Sequence, residues 1–216
     1  MRTKHTDTLT HAPAHTAATQ TTSAQAVPLK SGATAHKPAF SSRDLVLGGM
    51  FAAVMAVISQ LSIPMPTGVP ITIQLFGVTL IGVVLGWRLG LLAMTAYILL
   101  GATGLPVFSN FRGGLGVLTG VTGGYLWSYP LMVALCGIRP KTESTHLDTL
   151  LTILLALIGL MIVETIGGLQ WAALAGDKTV AAVFTYSIVA FIPKDILLTI
   201  LAVLIGRPIQ KTLKKL

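Results

Sequence analysis

The sequence predicts an all-α integral membrane protein of six transmembrane helices with both termini in the cytoplasm, on three observations. Of its 216 residues, 53% are hydrophobic and only 10% charged, and the mean hydropathy is +0.78. A soluble domain carries about a quarter charged residues, so this composition belongs to the bilayer. From Asp44 onward, six apolar segments can be drawn, at roughly 45–63, 71–86, 89–103, 116–137, 149–173 and 181–206. Each is at or near the ~20 residues that cross a membrane as a helix. The basic residues between the segments fall overwhelmingly on one side, which sets the orientation.

The chain divides into a tail, 1–43, and a membrane domain, 44–216. The tail is rich in Thr, Ala, His and Ser with almost no large apolar side chain. It cannot bury enough surface to offset chain entropy and is expected to be disordered. It has a basic start but no apolar core segment, so it is not a secretory signal peptide. Its four histidines, His5, His11, His15 and His36, are irregularly spaced, which argues against a metal tract.

Within the membrane domain, the second and third segments are short, as expected where helices break near a cavity or pack inside a bundle. Arg2, Lys4, Lys30, Lys37 and Arg43 precede the first span; Arg88 follows the second, Arg139 and Lys141 the fourth, and Arg207, Lys211, Lys214 and Lys215 the sixth. The opposite side holds only Arg112 and Lys178, and Lys194 lies inside a span. This asymmetry places both termini in the cytoplasm and supports the count of six. The net charge of +8 therefore reads as topology signal and solvated tail, not as a nucleic-acid stripe. The single cysteine, Cys136, excludes an intrachain disulfide and a thiolate metal cluster.

Four features are too polar for their depth. Pro193-Lys194-Asp195 interrupts the apolar run from Tyr186 to Ile205. A charge at mid-bilayer costs at least ~2.5–3.5 kcal/mol, so such residues face a partner or a wet cavity. Neighbours on a helix point about 100° apart, so Lys194 and Asp195 are not expected simply to neutralise each other. A lysine there suits an anionic ligand group; the other reading is a structural interhelical pair. Glu164 lies about 15 residues into its span, at a depth that allows a pair with Lys194, a ligand contact or a buried hydrogen bond. Gln74 follows the rigid crossing Pro64-Met-Pro-Thr-Gly-Val-Pro70, close to the outer end of the second helix, where it serves a ligand amide or crosslinks helices.

The fourth feature is the glycine-rich stretch from Gly104 to Tyr125. Asn110 offers both hydrogen-bond polarities, Phe108 and Phe111 offer apolar walls, and Gly113-Gly114 admits close backbone approach. Tyr125 stands ready to stack on or bond a ring. Arg112 reads as a rim residue before a ligand-binding one. Phe108 to Gly114 are expected to form a mobile cover and Thr122 to Tyr125 an immobile wall. Gly49, Ala52, Ala53 and Ala56 space small residues along the first helix, a smooth face for internal packing or for docking another membrane protein. There is no Walker motif, Ser/His/Asp set, His-Glu-x-x-His helix or paired intramembrane aspartate, so no catalytic residue, metal or cofactor is expected.

Three motifs then carry a resemblance. Gly104-Leu-Pro-Val-Phe108 with Gly113-Gly114, Gly120-Val-Thr-Gly-Gly-Tyr125 and Pro70-Ile-Thr-Ile-Gln74 resemble the signature of the BioY family, the biotin-binding S components of energy-coupling factor transporters. The late Pro193-Lys194-Asp195 fits in order, and the likeness covers about 44–208. Val121 departs from the family's usual proline but touches no polar group. The resemblance implies a six-helix fold in a prokaryotic cell membrane, with an outward-facing biotin site covered by the loop between the first two helices and the loop before the fourth. It implies a carboxylate end served by Lys194 and Asn110 and a ureido end served by Gln74, Asp195, Glu164 and Tyr125. It also implies docking, through Ala52 and Ala56, to a transmembrane coupling protein with two ATPase subunits that release the ligand inward.

Three alternatives remain at this point: an S component for another vitamin, a six-span enzyme or proton-conducting protein using Glu164 and Lys194-Asp195, and an assembly protein whose buried charges only set helix register.

Overall fold

Eight α-helices and one short β-hairpin make up the computed structural model, which describes residues 41–140, 144–176 and 179–213. All of these belong to one compact unit spanning 38–216. The polar tail lies outside the described residues except for its last three. Those three belong to the first helix: Ser41 caps it, its hydroxyl accepting from the Asp44 N–H while the Asp44 carboxylate accepts from the Ser41 N–H. This reciprocal box starts α1 (Ser42–Ser59) two residues before the expected boundary.

The chain then forms β1 (Ser62–Ile63) and β2 (Ile71–Thr72), antiparallel with Ser62 opposite Thr72 and Ile63 opposite Ile71. Only a rigid crossing was expected here, because two-residue strands leave no periodic trace in a sequence. The second apolar segment therefore opens as a strand, and α2 (Gln74–Leu85) begins only at Gln74. Gly86, at φ 80°, turns the chain directly into α3 (Trp87–Ala102). A side chain there would be strained by the backbone and would also meet the Arg139 guanidinium.

A connecting loop with a single 3₁₀ turn (Ser109–Phe111) leads to α4 (Leu115–Thr119) and α5 (Gly123–Cys136). The fourth segment is thus two helices, parted at Gly120–Thr122. α6 (Thr145–Leu174) has 30 residues, and α7 (Val180–Ala190) and α8 (Ile192–Leu213) follow. Hydrogen bonds Phe191 N to Ser187 O and Asp195 N to Phe191 O carry the ladder across the α7–α8 junction. Pro193 has no N–H to donate, so the sixth segment bends at Phe191 rather than running straight. Lys194 consequently sits just past a bend.

α1, α6 and α8 are long and apolar enough to cross a membrane; α2, α3 and α7 are shorter apolar helices. Their outward faces stay greasy, with Val57, Leu150, Leu197 and Val189 exposed. Inside, helices approach through small residues, as membrane helices must when no aqueous hydrophobic effect drives them together. Gly124 of α5 lies against the Ile166 carbonyl of α6, and the Tyr125 ring fills the space over Gly167. Gly82 of α2 meets Val133 and Cys136 of α5, and Gly206 of α8 meets Val83 of α2. These contacts draw α2, α5, α6 and α8 around one space.

Candidate functional site

That space is a cavity at the hairpin end of the bundle, with about 570 Å³ of empty volume, its open mouth included. Val69, Pro70 and Thr72 of the hairpin, Phe108, Ser109 and Arg112 of the loop, Thr122 of the α4–α5 turn, Tyr125 of α5, Glu164 of α6, and Lys194 and Asp195 of α8 all line it.

Gln74, the first residue of α2, is buried and held on both sides. Its Oε1 accepts from the Tyr129 hydroxyl at 2.9 Å, and its Nε2 donates to the Tyr97 hydroxyl at 3.3 Å. Tyr97 in turn donates to the Val107 carbonyl at 3.2 Å. Gln74 thus links α5, α3 and the loop, and it still faces the cavity. Tyr125 and Glu164 differ: both are buried, yet among the described residues the Tyr125 hydroxyl and Glu164 Oε2 have no hydrogen-bond partner. An orphaned buried polar atom costs about 1–3 kcal/mol, so two of them lining one cavity mark places for a ligand's donors and acceptors.

Lys194 and Asp195 do pair, with Nζ 2.6 Å from Oδ1, contrary to the expectation from helical spacing. The physical reason is reach: four methylenes let the ammonium curl back over the next residue, which a Cβ-to-Cβ angle does not describe. Lys194 Nζ also donates to the Thr72 carbonyl at 2.9 Å. No ion pair between Glu164 and Lys194 forms among the described residues. Arg112 lines the same cavity, its Nε donating to the Ser109 carbonyl at 3.4 Å. It makes no ion pair among the described residues.

Phe108 is 1% exposed and forms part of the cavity wall, its ring edge-to-face with Tyr97 at 5.6 Å. Its partners in the sequence motif go elsewhere. Asn110 and Phe111 both adopt positive φ, 59° and 54°. This local reversal sends Phe111 outward at 72% exposure and turns the Asn110 side chain to the hairpin, where Oδ1 accepts from the Ser62 hydroxyl at 3.0 Å. Neither residue lines the cavity.

The stretch expected to be a mobile cover is strapped down. Gln60, at the end of α1, donates to the Phe108 carbonyl at 3.2 Å and accepts from the Phe111 N–H at 2.9 Å. Ser59 donates to the Val107 carbonyl, and Gly114 N–H to the Gly101 carbonyl at 2.7 Å. Gln60, Ser59, Tyr97 and Tyr129 escaped the sequence reading. Gln60 carried a signal, an amide at the border of an apolar helix; the tyrosines did not, because an aromatic in an apolar helix looks like core. Gln170 donates to the Gly120 carbonyl at 2.8 Å and so braces the α4–α5 turn.

The small residues of α1 form one strip whose inner edge packs into the bundle and whose outer edge is open. Ala52 is 2% exposed and packed inside the bundle, and Ala56 is half-buried, while Gly49 and Ala53 lie on the outside. Gly49 and Ala53 are the most open of the four, and Ala56 is partly so.

Comparison with known proteins identifies relatives in sequence and in fold. The model of the BioY family matches residues 30–215. A probable biotin transporter BioY of Pyrococcus horikoshii is 34% identical over 170 residues, 78% of this chain and 97% of its own. The biotin transporter BioY of Rhizobium etli is 36% identical over 178 residues, 79% of this chain and 94% of its own. In fold, the chain resembles the crystal structure of the S component for biotin from an ECF-type ABC transporter, with TM-score 0.69, 24% identity, and coverage of 80% of this chain and 95% of that one.

Proposed function

Because this chain belongs to the BioY family, we propose that it binds biotin from the extracytoplasmic side and delivers it inward as the substrate-specific subunit of an ATP-driven transporter. The observation that carries this reading is the chemistry of the cavity lining. Biotin presents a ureido ring with two N–H donors and one carbonyl, an apolar ring and chain, and a terminal carboxylate. Glu164 Oε2 and the Tyr125 hydroxyl are buried and unpartnered, suited to the ureido group. Phe108, Leu126, Val117 and Phe191 supply apolar walls. Arg112 is the cation of the lining without a carboxylate of its own, and its planar fork suits the ligand's carboxylate.

Six crossings with both termini inside complete the proposal. α1, α2, α3, α4–α5, α6 and α7–α8 supply the six paths, and the charge asymmetry supports the orientation. Transport needs energy from elsewhere, and we assign it to a transmembrane coupling protein with two ABC-type ATPase subunits, docked on the Gly49 and Ala53 side of α1. Ala53→Trp should then block assembly with those partners and leave biotin binding by the isolated subunit unchanged. Loss of biotin binding in that variant would make the face an internal one.

The decisive experiment is equilibrium binding of biotin, riboflavin and thiamine to the purified chain. Selective biotin binding is expected. Binding of another vitamin with none of biotin would overturn the ligand assignment, and ligand-free turnover or proton flux abolished by Lys194→Ala would favour a membrane enzyme or proton conductor instead.

A further inference from the structure

We propose that Lys194 is a positioning residue that ties the β-hairpin to α8 and orients the Asp195 carboxylate, and that it does not hold the ligand's carboxylate. Resting on the biotin reading for its ligand, this reassigns a residue whose type and depth alone suggest an anion receptor. The ammonium has three donors. One goes to Asp195 Oδ1 at 2.6 Å and one to the Thr72 carbonyl at 2.9 Å, and the Phe191 ring covers a further side, 5.8 Å from Nζ to its centroid. The charge is balanced locally by a carboxylate that is itself buried. A second anion arriving at Lys194 would have to share a cation already neutralised, whereas Arg112 in the same cavity has no carboxylate partner among the described residues.

The Thr72 bond gives Lys194 a different task. Thr72 closes β2, and Val69 and Pro70, just upstream, form part of the cavity wall. Among the described residues, this is the hydrogen bond through which α8 reaches the hairpin. Within the hairpin tip, the bonds are local: Gly68 N–H to the Met65 carbonyl at 3.1 Å, and the Thr67 hydroxyl to the Val69 carbonyl at 3.4 Å. Lys194 therefore holds the β2 end of the hairpin in register with Asp195, which lines the same cavity. A charge-assisted bond is about twice as strong as a neutral one, so losing it should loosen this junction for a charged and a neutral ligand alike.

The test uses the full purified chain. Affinities and dissociation rates for biotin and for its neutral methyl ester are measured in the wild type, Lys194→Met, Lys194→Arg and Arg112→Ala. Lys194→Met is expected to weaken both ligands by about tenfold, mainly through faster dissociation, while the acid-to-ester preference changes by less than about twofold. Lys194→Arg should recover part of the loss, and Arg112→Ala should shrink the preference. Collapse of that preference in Lys194→Met would overturn the proposal and put Lys194 on the ligand's carboxylate.

A second arm needs no ligand. Cys136 is the sole cysteine and is buried, so a spin label on Thr67→Cys reports the hairpin alone. Its mobility should rise in Lys194→Met and return towards wild type in Lys194→Arg; an unchanged spectrum would overturn the tie. If the wild type binds neither biotin nor its ester, the biotin reading fails while the label still decides what Lys194 does.

Discussion

Two coverings meet over the cavity, and they are built in opposite ways. The hairpin between α1 and α2 and the loop between α3 and α4 are both rich in proline and glycine. Composition alone would call either one flexible. The loop, however, is bonded to α1 by Gln60 and Ser59, to α3 by Tyr97 and Gly101, and to the hairpin by Asn110. The hairpin tip bonds chiefly to itself. Flexibility is thus a matter of which neighbours satisfy the backbone, since glycine only permits a shape and hydrogen bonds decide whether it is held.

The sharpest way to break this contrast is at the seat of the strap. A Cβ at Gly101 would come within 2.0 Å of the Phe108 ring, so Gly101→Ala must expel the ring from the wall. A loss of about 2–3 kcal/mol is expected in thermal unfolding, together with loss of biotin binding. An unchanged melting curve would mean that the loop adapts and is not strapped. Next comes Gln60→Ala, which removes the side chain that bonds the Phe108 carbonyl and the Phe111 N–H. Here about 1–3 kcal/mol is at stake, and biotin affinity should fall about tenfold, because the wall carrying Phe108 and Arg112 loosens. Retained affinity would show that Ser59 and Tyr97 suffice.

The smallest effect should come from the hairpin. Gly68 has φ +85°, and a Cβ there would meet Val121 Cγ2 at 3.5 Å, an ordinary van der Waals contact. Gly68→Ala should cost about 1 kcal/mol from backbone strain, with little change in melting and a shift confined to the rates of biotin association and dissociation. A destabilisation as large as that of Gly101→Ala would erase the distinction between the two coverings.

Much of the site was legible because the chain is so apolar. In such a chain, a buried Glu164, Lys194 or Asp195 needs a wet or paired environment, and depth counting brings them to one level. Gln74, Tyr125, Phe108 and Arg112 could be added from motif and position, and all seven line the cavity. Asn110 and Phe111 could not be ruled out, since their direction hangs on two positive φ angles that no neighbouring residue announces. For Ala52 the spacing left internal packing and docking equally open, and only packing against α3 shows that its edge of the small-residue strip faces inward.

Sequence by itself determined the membrane class, the apolar segments, the charge asymmetry and the polar residues too costly to bury without purpose. These are sums over residues, and hydropathy adds along a chain without reference to distance. Tertiary structure decided the rest: that Lys194 turns to Asp195 and Thr72, that Gln74 is clasped by two tyrosines, and that the Glu164 and Tyr125 oxygens are left open. Such outcomes hang on ångström separations and on the rotation of each helix about its axis. Spacing along the chain leaves both undetermined.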